Sequence, residues 1–250
     1  MHRFSVITIT YNAEKYLEET LASVASQKFT DYEHIIWDGG SRDRTGEIVK
    51  AFPHIKFFQG GDEGIADAMN RGAAQATGEF LLHLHADDLL AHDHVFSYVD
   101  VSLRHHAVSW LYGQAHIIDG QGKKVRTTPF ETYTHQRLQK YNFITHPATF
   151  IRRSLFEKVG GFHKKWKYCM DYALWLRLAE ESSPFALASP LACFREHEES
   201  LSTAHPLHVA DEAYEVRHPY QRNMWRRFQS YRTWKKRLCS LKLQKNWLRD

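Results

Sequence analysis

Through the first ninety residues, short β-branched and apolar runs alternate with stretches of helical spacing. Phe4–Thr10 reads as a central strand. Tyr11-Asn12 follows, with Asn12 placed to cap a helix that runs to about Gln27 on a Leu17, Leu21, Val24 face. Tyr32–Trp37 is a second strand, broken by Asp38-Gly39-Gly40-Ser41 ahead of a short helix through Ile48 and Val49. Ile55–Phe58 is a third strand. Gly60-Gly61-Asp62-Glu63-Gly64 then opens onto a helix carrying Ile65, Met69, Ala73 and Ala76, closed by Gly78. The stretch Gly78–Asp88 is apolar, too short for a membrane span, and ends in two adjacent carboxylates. It predicts a buried fourth strand. Three strand–helix units and a further strand predict a parallel, right-handed, doubly wound sheet, an α/β fold.

Beyond Asp88 the pattern is looser. A helix is expected around Val95–Leu103, then a strand over Val108–Ile118 and a hairpin turn at Asp119-Gly120-Gln121-Gly122 into Lys123–Thr127. Pro129–Tyr141 shows no clear period. Ala148–Ile151 reads as a strand, and Ser154-Leu155-Phe156-Glu157 as a capping box for a short helix ended by Gly160-Gly161. A helix follows Asp171 through Leu174 and Leu178, and Phe185–Phe194 is a last strand.

Composition narrows the class. The 250 residues, 43% of them apolar, suit one large domain with a real core. No 18-residue apolar run exists, and the first residues enter a strand pattern at once rather than a signal-peptide layout. Cys169, Cys193 and Cys239 are far apart and in no metal-type spacing, which predicts a reduced, cytoplasmic protein. The net charge of +4 conceals an asymmetry: residues 217–250 hold eleven Lys/Arg and one acid, whereas residues 1–216 carry −6. A mildly acidic body thus bears a basic tail.

Several residues have both a chemical and an ordinary reading. Asp87 and Asp88 stand where ligands enter an open α/β sheet, and hard oxygens there suit Mg²⁺ or Mn²⁺ carrying a phosphate; they also suit a solvated turn or a helix cap. Asp38 is either a carboxylate for a base or ribose, or a turn residue bonding its own backbone. His83, His85 and Asp87 alternate along one strand face, with His92 and His94 close behind. Seventeen histidines make such pairs by chance, and His83 reads as a hydrogen-bonded core residue. Asp171 is a helix cap or a general base. His197 is a surface histidine or a ligand to phosphate or metal. No G-x-G-x-x-G, G-x-x-x-x-G-K-[ST] or G-x-S-x-G string occurs, which leaves dinucleotide, P-loop and serine-hydrolase chemistry without support.

Taken in order, Ser5–Asn12, Asp38-Gly39-Gly40-Ser41-Arg42-Asp43, Gly64–Gly72 and Ala76–Asp88 resemble the family 2 glycosyltransferases of GT-A fold. The likeness is to the bacterial subgroup that builds lipopolysaccharide and other surface polysaccharides, and His146-Pro147-Ala148-Thr149-Phe150 through Gly160-Gly161-Phe162 to Asp171-Tyr172 resembles its acceptor half. The resemblance covers roughly residues 4–204. It implies a Rossmann-like GT-A domain over 1–216, a mixed, mainly parallel sheet flanked by helices, with a nucleotide-sugar half (1–104) and an acceptor and catalytic-base half (105–216), and a basic helical tail over 217–250. The implied activity is inverting, metal-dependent transfer of a sugar from a UDP- or GDP-sugar to a hydroxyl of a glycan or lipid-linked glycan. By the resemblance Thr10, Tyr11 and Asn12 would border the nucleoside and Asp38 the base. Asp67, Asn70 and Asp87 would join the nucleotide-sugar side, Asp88 would hold a divalent cation (Mn²⁺ or Mg²⁺) with His197 near it, and Asp171 would be the base. The chain departs from the family at Met69, Met170 and His85; the last stands where Asn or Asp is usual.

Two other classes compete. A nucleotidyltransferase would need a Gly-rich, Lys-bearing N-terminus, which Ser5–Asn12 lacks. A non-catalytic sugar-nucleotide or glycan binder on the same scaffold is the alternative, against which the joint presence of Asp38, Asp87, Asp88 and Asp171 argues. From Phe228 a helix would align Tyr231, Trp234, Leu238, Leu241 and Leu248. Such a stripe either lies on an anionic membrane surface, at the inner face of the cell membrane, or packs on the domain. The acidic body disfavours nucleic acid as partner.

Overall fold

A computed structural model describes residues 2–198, 200–221, 231, 232 and 234–236. The strands are β1 (Phe4–Thr10), β2 (Tyr32–Asp38), β3 (Lys56–Gln59), β4 (Phe80–His83), β5 (Leu89–Leu90), β6 (Trp110–Ile118), β7 (Lys124–Thr127), β8 (Thr149–Arg152) and β9 (Phe185–Arg195). Helices α1 (Leu17–Ala25), α2 (Thr45–Lys50), α3 (Ile65–Ala74), α4 (Val95–His106), α5 (His135–Leu138), α6 (Arg153–Lys158), α7 (Met170–Glu181), α8 (Leu201–Ala204) and α9 (Pro206–Arg217) connect and flank them.

The strands form one sheet in the order β3-β2-β1-β4-β8-β6-β9-β5, with β7 beside the far end of β6. The first four are mutually parallel, as expected. The chain steps outward from β1 to β3, then returns to the other side of β1 as β4. That reversal opens a crevice at the carboxyl ends of β1 and β4, where an open α/β sheet accepts ligands. The second half does not continue the parallel winding. β8 enters antiparallel between β4 and β6, so the sheet is mixed.

Both faces are covered, and the strands show why. In β1, Phe4 and Val6 enter one core with Val24, Phe80, Leu82, Phe96 and Phe150, while Ile7 enters the other with Met69, Leu81, Trp110, Tyr172 and Trp175. A two-residue side-chain period on a doubly buried strand demands apolar residues at successive positions. Gly72 lets α3 lie close on the sheet, since a Cβ there would stand 2.6 Å from Ile7 Cγ2.

The helix starts differ from the sequence expectation in three places. Asn12 does not cap α1; it adopts a left-handed φ of 49°, and Tyr16 occupies the N-cap. Its side chain instead accepts from the Arg42 N–H at 2.9 Å, tying the β1 exit to the β2 exit. The Ser154–Glu157 capping box does not form, because α6 begins at Arg153 and Glu157 pairs with Arg153 at 2.7 Å. Asp171 lies inside the first turn of α7, with Cys169 as N-cap. The hairpin at Asp119–Gly122 and the stop at Gly160-Gly161 appear as expected, with positive φ at Gly122, Gly160 and Gly161.

At the amino edge of the sheet, Glu33 gathers Ser5 Oγ (2.6 Å), the Thr77 N–H (2.6 Å) and hydroxyl (2.8 Å), the Gly78 N–H (3.1 Å) and Lys56 Nζ (2.6 Å). Burial alone would raise its carboxyl, but these donors outweigh it and bring it to about 2. Gly78 passes so close that an added Cβ would lie 2.7 Å from the Phe4 and Ser5 backbone. Gly78→Ala should therefore cost about 1–3 kcal/mol of stability through overpacking. Urea denaturation checks this, and an unchanged midpoint would mean that β1 and the Gly78 turn can separate freely.

Candidate functional site

The carboxyl edge begins with a row set by strand register. Thr10, Asp38 and Gln59 are cross-strand partners on β1, β2 and β3. Asp38, 1% exposed, accepts from Thr10 Oγ1 (2.8 Å), Gln59 Nε2 (2.9 Å), Ser41 Oγ (2.5 Å) and the N–H groups of Gly40 (3.1 Å) and Ser41 (2.9 Å). Burial would raise its carboxyl, but these donors win and hold it low. Both oxygens are engaged with the Gly39–Ser41 turn and its neighbours. Tyr11 stands at the rim with 69% of its surface exposed, beside Gly39.

Past β4 the chain turns, with the Asp88 N–H bonded to the His85 carbonyl at 3.1 Å. Two contacts hold this turn. Thr20 on α1 donates to the Ala86 carbonyl at 2.9 Å, and β5 pairs antiparallel with β9. β9 ends in Arg195, which is 1% exposed. Its backbone N–H donates to Asp88 Oδ1 (2.9 Å), its Nε to the Asp87 carbonyl (2.9 Å) and its Nη2 to Glu19 (2.7 Å). The guanidinium also lies 4.5 Å from the Tyr16 ring centre. Just beyond, His197 Nε2 bonds Asp87 Oδ2 at 2.9 Å.

Asp87, Asp88 and His197 are thus brought together. Asp88 is buried to 1% exposure, and its Oδ2 has no hydrogen-bond partner. Burial, then the neighbouring Asp87 charge, push its carboxyl well above the usual range. A bare buried carboxylate oxygen fits a cation. Among the described residues no group of three His, Cys, Asp or Glu could enclose one. That does not exclude the fit, because Mg²⁺-like ions are commonly held by one or two carboxylates plus substrate phosphates and water. His197 bonds Asp87 through Nε2, while its buried Nδ1 has no hydrogen-bond partner among the described residues.

Asp67 and Asn70, on α3, face the loop that leads to α7. Asp67 binds Arg71 (2.7 Å), Lys164 (2.8 Å) and the Glu63 N–H (3.0 Å); burial would raise it, but these partners bring it to about 2. Asn70 clamps Phe162 twice, donating to its carbonyl (2.7 Å) and accepting from its N–H (2.8 Å). Both side chains are therefore occupied in joining the two halves.

Asp171 accepts from Asn142 Nδ2 (3.1 Å) and the Tyr172 N–H (2.6 Å). Burial raises its carboxyl to about 6 despite these donors, and the Glu212 charge acts in the same direction. A carboxyl poised there can take a proton near neutral pH.

Histidines fill the space under the turn. His83 is buried and hydrogen-bonded to the Met69 backbone, the core role its sequence position suggested. His146 lies 4.9 Å from the His85 ring and 6.1 Å from that of His83, against Phe162 and Trp175. Burial first and then the neighbouring His85 depress His83, to about 3, and His146, on which His83 also acts. His85 is also lowered, by burial, with Asp87 opposing. Arg195, His146 and Glu212 were not anticipated as site residues. A lone Arg closing an apolar strand was the one sequence signal for Arg195.

On the tail side, Trp234 Nε1 donates to Asp211 Oδ1 of α9 at 2.8 Å and its ring lies 5.2 Å from Tyr214. The expected stripe residues Leu238, Leu241 and Leu248 lie outside the described residues. Among the described residues no helix is long and apolar enough to cross a membrane.

A sequence profile described as glycosyl transferase family 2 matches residues 5–160. A PGL/p-HBAD biosynthesis glycosyltransferase of Mycobacterium tuberculosis is 33% identical over 183 residues, covering 70% of this chain and 68% of that protein. The Staphylococcus aureus TarS 1–349 structure in complex with UDP-GlcNAc superposes with a TM-score of 0.75 at 22% identity, covering 96% of this chain and 73% of that one. The mannosyltransferase PcManGT of Pyrobaculum calidifontis, in complex with GDP-Man and Mn²⁺, gives 0.65 at 18% identity and covers 88% of this chain. The chain spans 64% of PcManGT, and 64% of TarS 1–349 in a further structure of it. At these identities the structural likeness shows the fold, which is the expected GT-A arrangement.

The buried histidines generate a pH prediction. Unfolded His83 takes a proton below about 6.5, whereas the folded side chain resists until about 3, so its contribution to stability falls as pH drops through that window. The slope is about 1.4 kcal/mol per pH unit. His83→Leu should lose about 3 kcal/mol less than the wild type between pH 6.5 and 4, by urea denaturation. Parallel losses in the two proteins would show that His83 is already protonated in the fold.

Proposed function

The chain belongs to glycosyl transferase family 2, and we propose that it transfers a sugar, with inversion, from a nucleoside diphosphate donor to a hydroxyl of a glycan or lipid-linked glycan. The observation that carries this reading is the buried, unpartnered Oδ2 of Asp88 at the sheet's reversal point. A hard carboxyl oxygen, buried and without a hydrogen-bond donor among the described residues, suits a cation-bound diphosphate.

Each residue then has a defined task. Thr10, Tyr11 and Asn12 border the nucleoside, Tyr11 through an exposed ring. Asp38 shapes the Gly39–Ser41 turn against which the base rests, because its oxygens are already engaged. Asp87, held by His197, faces the ribose or sugar. When bound at Asp88, with His197 beside it, a divalent cation offsets charge on the leaving diphosphate. Asp67 and Asn70 contribute indirectly, by fixing the loop through Phe162 and Lys164. Asp171 takes the proton of the attacking hydroxyl, and its elevated carboxyl makes it a stronger base than an ordinary aspartate.

The donor and acceptor classes draw support from the company the chain keeps. TarS is solved with UDP-GlcNAc and PcManGT with GDP-Man, and the mycobacterial relatives are named for biosynthesis of PGL/p-HBAD. A biosynthetic role in surface glycans, with the basic tail 217–250 bringing the enzyme to an anionic membrane from the cytoplasmic side, accords with these names and with the charge of +10 there.

Release of nucleoside diphosphate from a panel of UDP- and GDP-sugars, with and without Mn²⁺ or Mg²⁺, tests the reading; binding without turnover would favour a non-catalytic binder. Asp171→Asn should reduce transfer by about 10²–10⁴-fold while donor affinity by calorimetry stays near wild type. Wild-type transfer should rise with pH through about 6, as Asp171 loses its proton. Asp88→Ala should abolish the dependence of donor binding on the cation. An unaltered cation dependence would remove Asp88 from the metal site.

A further inference from the structure

Resting on the reading of Asp171 as the base, we propose that Glu212 is its positioning residue: from α9 its carboxylate gathers the backbone that leads into α7 and fixes where the base stands. Glu212 lies outside every motif of the catalytic body. Its Oε1 accepts from the Lys167 N–H at 2.8 Å, and its Oε2 accepts from the N–H groups of Tyr168 and Cys169. Three consecutive amides thus converge on one side chain from another helix. Cys169 is the N-cap of α7 and makes no capping bond with its own side chain. Amides at a helix start lack intrahelical partners, and a negative charge there is favoured by the helix dipole. Glu212 thus meets the N-cap amide of α7 and the two amides that precede it.

The same helix adds a second stitch, because Cys169 Sγ lies 3.4 Å from the Val209 carbonyl. The other end of the segment is fixed by the two bonds from Asn70 to Phe162 and by Lys164 against Asp67. Residues 162–169 therefore run as a strap from the donor side to the base, anchored at both ends. Asp171 follows two residues after Cys169, the last amide held by Glu212, with Met170 buried between them. A shift at the strap's end is passed directly to the base.

Glu212 also acts through charge. The groups that act on Asp171 are the Asn142 amide, the Tyr172 N–H, its own N–H and, from α9, Glu212; the adjoining Tyr172 phenol in turn feels Arg217 of α9 and the Cys169 thiol at the N-cap of α7. Among them the Glu212 carboxylate opposes ionisation of Asp171, so it supports the retention of a proton-accepting group near neutral pH.

The test uses the full chain with Glu212→Gln, Glu212→Ala and Asp171→Asn, measuring kcat, donor KM and the pH profile, with nucleoside diphosphate affinity and thermal midpoint alongside. Glu212→Gln retains an acceptor oxygen but loses the charge; its acid limb should move to lower pH. Glu212→Ala should lower kcat by about 10–100-fold, with donor KM and nucleotide affinity near wild type, and Glu212→Gln should restore part of that loss. An acid limb unmoved in Glu212→Gln together with wild-type kcat in Glu212→Ala overturns the proposal. So does a loss shared equally by nucleotide affinity and thermal midpoint, which would make Glu212 a structural residue only. If Asp171→Asn transfers at the wild-type rate, the base assignment itself fails, a result separate from either Glu212 outcome.

Discussion

Arg195 brings together parts of the chain that are more than a hundred residues apart. Its backbone holds one oxygen of Asp88, its Nε holds the Asp87 carbonyl, and its Nη2 reaches Glu19 on α1 beneath the Tyr16 ring. Removing a guanidinium from water costs several kcal/mol unless its donors are met. Nε and Nη2 find these partners only when the end of β9, the start of α1 and the turn after β4 coincide, while Nη1 is buried with no hydrogen-bond partner among the described residues. The placement of both carboxylates and of His197 follows from that coincidence. The buried Arg195 also lies close enough to temper, without cancelling, the charge that Asp88 would carry.

The carboxyls proposed as cation ligand and as base are set apart by what surrounds them. Asp88 has one oxygen bonded and one bare, in a place where burial and Asp87 disfavour its charge. Asp171 has donors on both oxygens, yet burial still lifts it to about 6. Asp38 and Asp67, by contrast, are held low by saturating hydrogen bonds. Four acids that look alike in sequence thus divide into two that are available and two that are engaged in holding loops.

That division was only partly legible from the sequence. The first four strands and their helices were readable because β-branched runs and helical spacing are local signals, and β1 has the expected bounds. Asp87, Asp88 and Asp171 were found by motif order. The antiparallel entry of β8 was not legible, since strand direction is decided by pairing with β4 and β6 rather than by residues 149–152. Asn12 and the Ser154 box failed for different reasons: Asn12 serves a tertiary partner, the Arg42 N–H, whereas α6 starts at Arg153, which puts Ser154 inside the helix and leaves Glu157 to pair with Arg153. Glu212 was invisible because its meaning lies in three amides some forty residues upstream.

The insertion of β8 between β4 and β6 bears on how the chain can be re-engineered. The edge of the first, parallel half of the sheet is not a free boundary but the interior of a continuous sheet, with Leu81 paired to Ile151 and Ile151 in turn to Trp110. Grafting the second half of a relative onto this first half would cut hydrogen-bonded ladders on both flanks of one strand, and would sever the Asn70 clamp on Phe162 as well. Recombination is therefore better confined to exposed turns, such as the Asp119–Lys123 hairpin turn, than placed at the midpoint of the chain.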